Sequence, residues 1–230
     1  SLIAMKHLLL SVFLLFTLAS FSQIPPPPTE ETIGPPLLLA IEANDLAKVK
    51  QLIAEGANVN ESSFFVDSPM KCALQGDNYE IIKLLVENSA KDRGSIYHAV
   101  IENDMKLTKY LIENDFDIGE SIVNAVENNN LEMVKFLASK GAEVNFSQKR
   151  RTGLFRKHYV SPIDEAVSLD NIAIVKVLVE HGVTKRRAIE SALDYGRNDL
   201  IFALSKDFDD QAWLLIEAFT RENNPVVNKL

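Results

Sequence analysis

An alanine recurs along this chain at Ala40, Ala73, Ala99, Ala125, Ala166, Ala192 and Ala218, and the successive separations run 33, 26, 26, 41, 26 and 26. Around each one the pattern is the same: a large apolar residue, two variable positions, the alanine, a polar turn and then a second apolar segment. Self-similarity at such a period constrains the fold before any local motif does, because one short unit cannot bury its own apolar face and must stack on a neighbour. The chain from residue 36 onward is therefore predicted to be all-α, a stack of helix-turn-helix units with about six repeats and a C-terminal half repeat that caps it.

The residue choices within a unit follow from helix physics. Ser68-Pro69 and Ser161-Pro162 pair a capping hydroxyl with a proline at the first helical position, where the missing N–H does no harm. The aligned alanine is small because neighbouring units approach closely there. Gly76-Asp77-Asn78, Asn128-Asn129-Asn130 and Leu169-Asp170-Asn171 supply tight turns. Apolar positions in the second segment, such as Ile81, Ile82, Leu84 and Leu85, recur at helical spacing. Gly56, Gly141 and Gly182 sit where a left-handed residue should close that helix, and Asn88 and Asn114 are expected to take the same role in units two and three. At the end, "WLLIEAF" is followed by "TRENNPVVNKL", which predicts a polar outer face and a largely buried Trp213.

The starts "SPMKCA" and "SPIDEA" and the ends "LIAEGANVN" and "LASKGAEVN" resemble the ankyrin-repeat family over residues 36 to about 222. That resemblance implies a solenoid of stacked helical pairs that binds other proteins. No unit keeps the family's full T-P-L-H start, and four spacings of 26 are about seven residues shorter than the family's unit of about 33. The family's projecting loop is therefore not expected at those four seams. Only the connections from Gly56 to Ser68 and from Gly141 to Ser161 are long enough to project, so the stack should carry two fingers.

The first finger holds Phe64 and Phe65, which either fold back over a core edge or form a contact surface. The second, an insertion at 146–160, concentrates Lys149, Arg150, Arg151, Arg156 and Lys157 without one acid and interleaves Phe155 and Tyr159. Loops fixed to a rigid scaffold are where binding residues concentrate. The basic run is either a solvated loop or a contact for an acidic patch on another protein. An alternative is an anion receptor that takes phosphate-bearing ligands: lipid, lipopolysaccharide or nucleic acid.

The chain carries 32 Asp and Glu against 24 Lys and Arg, a formal net charge of −8, which argues against general nucleic-acid binding. No catalytic residue, cofactor or metal site is expected. His98, His158 and His181 lack partners at metal-ligand spacing, and no nucleophile elbow or phosphate-cradling glycine loop occurs. The single cysteine, Cys72, adjoins an aligned alanine and reads as a small buried residue.

The start of the chain reads as an address. Lys6 precedes an apolar run from Leu8 to Leu18, and small residues stand at Ser20 and Ser22. Residues 1–22 are expected to be a signal peptide, since Leu8–Phe21 is shorter than the roughly 20 residues of a membrane-spanning helix. A proline-rich linker at 23–35 should precede the repeat domain at 36–230. Together these features predict an exported protein, periplasmic or secreted, with no membrane span after cleavage, monomeric, and serving as an adaptor or an inhibitor of its partner.

Overall fold

The computed structural model describes residues 35–62, 67–152 and 156–229, with the backbone alone over 148–152 and 156–159. Unit one is α1 (Pro36–Glu42) with α2 (Leu46–Ala54), and unit two is α3 (Pro69–Gln75) with α4 (Tyr79–Glu87). Unit three is α5 (Ser95–Ile101) with α6 (Met105–Glu113), and unit four is α7 (Ile122–Glu127) with α8 (Leu131–Ser139). A hairpin of β1 (Gln148–Thr152) and β2 (Arg156–Val160) follows. Unit five is α9 (Pro162–Ser168) with α10 (Ile172–Glu180), and unit six is α11 (Lys185–Asp194) with α12 (Asn198–Ser205). The chain closes with α13 (Gln211–Thr220) and the one-turn α14 (Asn224–Val227), so the final half unit acquires a rudimentary second helix.

The stack forms as the repeat predicts. All seven aligned alanines are buried within one continuous apolar core that runs from Leu37 to Val226. Ser68 and Ser161 cap their helices by accepting from the N–H groups of Lys71 and Asp164, with Pro69 and Pro162 at the first helical positions. The turns inside units one to five follow one recipe. A residue in the left-handed region, Asn44, Asp77, Asn103, Asn129 or Asp170, reverses the chain. The next residue, Asp45, Asn78, Asp104, Asn130 or Asn171, caps the second helix with its side-chain oxygen. Asn and Asp suit both positions because their short polar side chains tolerate positive φ and accept local hydrogen bonds.

These turns are also joined to one another. The amide of Asn78 donates to Asn44, that of Asn130 to Asn103 at 3.0 Å, and that of Asn171 to Asn129 at 2.7 Å. Asn223 donates to Asn198 at 2.9 Å in the same manner. Between units five and six Arg197 takes over, reaching the Ser168 carbonyl at 2.6 Å. Between units two and three the corresponding positions are Asp77 and Asp104, and there a cleft of about 310 Å3 opens beside Glu102.

Four features depart from expectation. Gly56, Gly141 and Gly182 do adopt positive φ, but in units two and three that role falls to Ser89 (φ 65°) and Asp115 (φ 62°), one residue beyond Asn88 and Asn114. The two asparagines instead cap the helix from the side, donating to the Leu84 and Tyr110 carbonyls at 2.8 Å each. The basic insertion is an antiparallel β-ribbon and not a plain loop. Trp213 is half-buried, edge-on to Phe208 at 5.7 Å and covered by the Arg186 guanidinium at 4.2 Å. Finally, the outer face of α13 is apolar, and the polar residues of the end lie beyond it in 220–229.

Candidate protein-binding surface

The hairpin is built on two anchored ends. On the entry side Ala142 and Val144 are buried, and the Asn145 amide donates to the Gly182 carbonyl at 3.0 Å, tying the ascending chain to the end of unit five. On the exit side Val160 and Ser161 are buried, and Ser161 opens α9. Its hydroxyl also lies 2.6 Å from Asp164, whose carboxylate accepts from Ser191 at 2.7 Å and from the Arg187 guanidinium at 2.6 and 2.7 Å. One half-buried carboxylate thus joins the base of the finger to units five and six. Charge-assisted bonds of this kind are shorter and stronger than neutral ones.

Between those anchors the backbone register sets Lys149 opposite Tyr159, Arg150 opposite His158, Arg151 opposite Lys157 and Thr152 opposite Arg156. The basic run therefore becomes two facing rows of cationic positions, joined across 153–155. Like charges directly opposite one another oppose pairing in an isolated ribbon. Phe155, Phe64 and Phe65 lie outside the described residues. The structure thus brings Lys149, Arg150, Arg151, Arg156, Lys157 and Tyr159 together on one ribbon. A strand signal was present: two runs separated by three residues that include Gly153 read as a hairpin.

A second group of side chains lies outside the positions that charge and loop length single out. On α4 and α6 the rings of Tyr79 and Tyr110 lie 5.8 Å apart, and Lys106 sits 4.3 Å from the centre of Tyr79. On α8 Phe136 is flanked by Lys109 and Lys140 at 5.6 and 5.8 Å. Burial, reinforced by Glu87 and Tyr79, pushes the Tyr110 phenol up from its usual range. Tyr110 and Phe136 hold the same, sixth position of α6 and α8, whereas Tyr79 opens α4, and each has a lysine one turn away in sequence.

The remaining reactive types have structural employment. Cys72 is free and half-buried, and burial followed by Glu42 and Asp67 pushes its thiol up, which leaves little thiolate near neutral pH. The ring of His98 donates to the Leu74 carbonyl at 3.0 Å, and that of His181 to the Val177 carbonyl at 2.8 Å. Among the described residues, no group of three or more His, Cys, Asp or Glu could hold a metal ion, and no helix is long and apolar enough to cross a membrane.

Stacked helical pairs with left-handed turns and a buried alanine in each first helix define an ankyrin-type solenoid. The family description "Ankyrin repeats (3 copies)" matches residues 37–122. The fold is similar to the solved ankyrin repeat domain of Bcl-3, a member of the IkappaB protein family, with a TM-score of 0.61 and 18% identity over 78% of this chain and 89% of that one. It is similar also to an ankyrin repeat domain from Acinetobacter baumannii, with a TM-score of 0.58 and 16% identity over 74% of this chain and 95% of that one. Among curated proteins, transient receptor potential cation channel subfamily A member 1 of Homo sapiens is 40% identical over 57 residues, 25% of this chain. The matched stretch spans 5% of that channel. Residues 37–122 match the ankyrin-repeat family, and the described stack as a whole has the ankyrin-repeat fold. Ankyrin repeats are protein-interaction modules.

Proposed function

We propose that this chain is a non-enzymatic binding module that holds an acidic protein surface, with the hairpin at 148–160 as its main contact and the concave face of the first helices as its platform. The observation that carries the reading is the ribbon itself. Five cationic positions and no acid occupy its two strands in a chain of net charge −8, and both ends are anchored to the stack. A solenoid offers an extended concave surface because each unit touches only its neighbours. Arginine suits the task, since its planar fork pairs with carboxylates through two parallel bonds, and Phe155 and Tyr159 add apolar area to the contact. Phe64 and Phe65 in the other long connection complete the proposed surface.

Export is part of the proposal and rests on the sequence alone, on Lys6, the apolar run Leu8–Leu18 and the small residues Ser20 and Ser22. The module then works in a periplasm or outside the cell, as an adaptor or as an inhibitor of its partner. The test is capture of the partner on immobilised chain, repeated with Arg150→Glu, Arg151→Glu and Arg156→Glu combined. The triple variant should melt as the parent does and associate with the partner at least tenfold more slowly, because exposed charges act chiefly on encounter rate. An unchanged association rate overturns the assignment of the ribbon. Binding that weakens with salt at a slope of about 0.9 per neutralised phosphate, on duplex DNA and not on protein, turns the reading into an anion receptor.

A further inference from the structure

Among the described residues the sheet formed by β1 and β2 has two strands and no third. In an antiparallel pair every second residue of each strand turns its backbone N–H and C=O toward the other strand, and the residues between turn theirs away. Each outer edge of this ribbon therefore carries a row of donors and acceptors that the pairing of β1 with β2 leaves unused. No described helix lies along either strand, so the stack does not cover these edges. A lone two-stranded ribbon is marginal in water, and the pair Arg151 and Lys157 sets like charges opposite one another. What such a ribbon lacks is a further strand that brings backbone partners and opposite charge together.

We infer that an extended acidic segment of the partner adds to the outer edge of β1 as a third strand, an inference that rests on the reading of the ribbon as the contact for an acidic protein. The choice of strand follows from where the cations stand. Lys149, Arg150 and Arg151 fill the centre of β1, and the period of two places positions 149 and 151 on one face of the ribbon and 150 on the other. In β2 the cations are confined to Arg156 and Lys157, beside the turn, and His158 and Tyr159 follow. A run of three acids laid along β1 sets an opposite charge beside each cationic position on both faces, which is the favourable cross-strand pairing. Charge also decides what is refused. An open edge invites pairing with any strand, and the ribbon of a second copy would bring three more cations against these three, so self-pairing is opposed. Backbone bonds then supply the affinity, and the cations select an acidic strand over a basic or neutral one.

Amide hydrogen exchange of the full chain, read by NMR with and without the capped peptide Thr-Val-Glu-Glu-Glu-Val-Thr, tests the inference. The outward amides of 148–152 should exchange freely in the chain alone and about tenfold more slowly at saturating peptide. The same peptide with its backbone amides methylated keeps its three carboxylates and loses its donors, and it should bind about tenfold more weakly, the worth of one or two such bonds. Methylated and parent peptides that bind equally, with the edge amides still exchanging freely, overturn the added strand and leave a contact by charge alone standing. Edge amides that are already slow in the chain alone show that another segment of this chain covers the edge, and overturn the inference. Slowing confined to 156–160 overturns the choice of β1. A peptide that fails to bind at millimolar concentration overturns the inference too, and partner capture with the triple arginine variant then decides separately whether the ribbon is a contact at all.

Discussion

Units five and six, from Ala166 to Ala192, meet across a short connection and a shared carboxylate, whereas units four and five, from Ala125 to Ala166, are separated by a long one that carries a β-ribbon. Underneath, the two seams are closed by the same means. Ala125, Ala166 and Ala192 are all fully buried. The turn edge spans the long seam without a break, since the Asn171 amide reaches Asn129 at 2.7 Å just as Asn130 reaches Asn103 at 3.0 Å across a short one. Stacking is therefore decided by the first helices and their turns, and the ribbon from Gln148 to Val160 is added above the seam without altering it. Side chains at a short seam hold the stack, and the proposal assigns those of the ribbon to a contact.

Removing the shared carboxylate should have the largest effect on the short seam. Asp164→Ala strands the Ser161 and Ser191 hydroxyls and the Arg187 guanidinium together. Hydrogen bonds to charged groups contribute about 1.5–3 kcal/mol, so urea unfolding should show a loss of about 2–3 kcal/mol. Adding Arg187→Met should recover part of that loss by removing the stranded charge. A loss no larger than that of an ordinary surface substitution, below about 0.5 kcal/mol, would mean that the network is ornamental and that apolar contact alone closes this seam.

Overpacking comes next. Ala125→Leu forces extra atoms into a fully buried position between units, at about 1–3 kcal/mol in the same assay. If the substitution leaves stability intact and abolishes partner capture, the alanine column is surface and the register is wrong. A smaller effect is expected at the long seam. Asn171→Ala removes both the cap of α10 and the bond to Asn129, at about 1 kcal/mol. Equal losses for Asn171→Ala and Asn130→Ala would show that the insertion does not weaken the edge it spans.

Most of this stack was legible in the sequence because its determinants are local and periodic. Alanine spacing, Ser-Pro starts and Asx turns each have one physical reading, and the glycines at 56, 141 and 182 carry the backbone that only their type adopts freely. Units two and three slipped by one residue because asparagine is the better left-handed residue by type. Here, though, the amides of Asn88 and Asn114 are committed to carbonyls one turn back, which leaves Ser89 and Asp115 to turn the chain. The ribbon was overlooked because its five cations, three Arg and two Lys, drew the reading to a charged loop and away from the hairpin signal around Gly153. Asp164 was hidden because its partners lie 3, 23 and 27 residues away, a pattern with no period. The apolar face of α13 was overlooked because the polar residues of 220–229 were read as its outer face.

That the ribbon serves contact and not folding is tested most directly by replacing residues 148–159 with a short Gly-Ser connection, keeping Val160 and Ser161, and measuring the thermal melt. The melting temperature should stay within a degree or two of the parent, since surface changes away from buried features shift stability by no more than about 0.5 kcal/mol. A drop of ten degrees or more would contradict this, because the ribbon would then be part of what holds units four and five together.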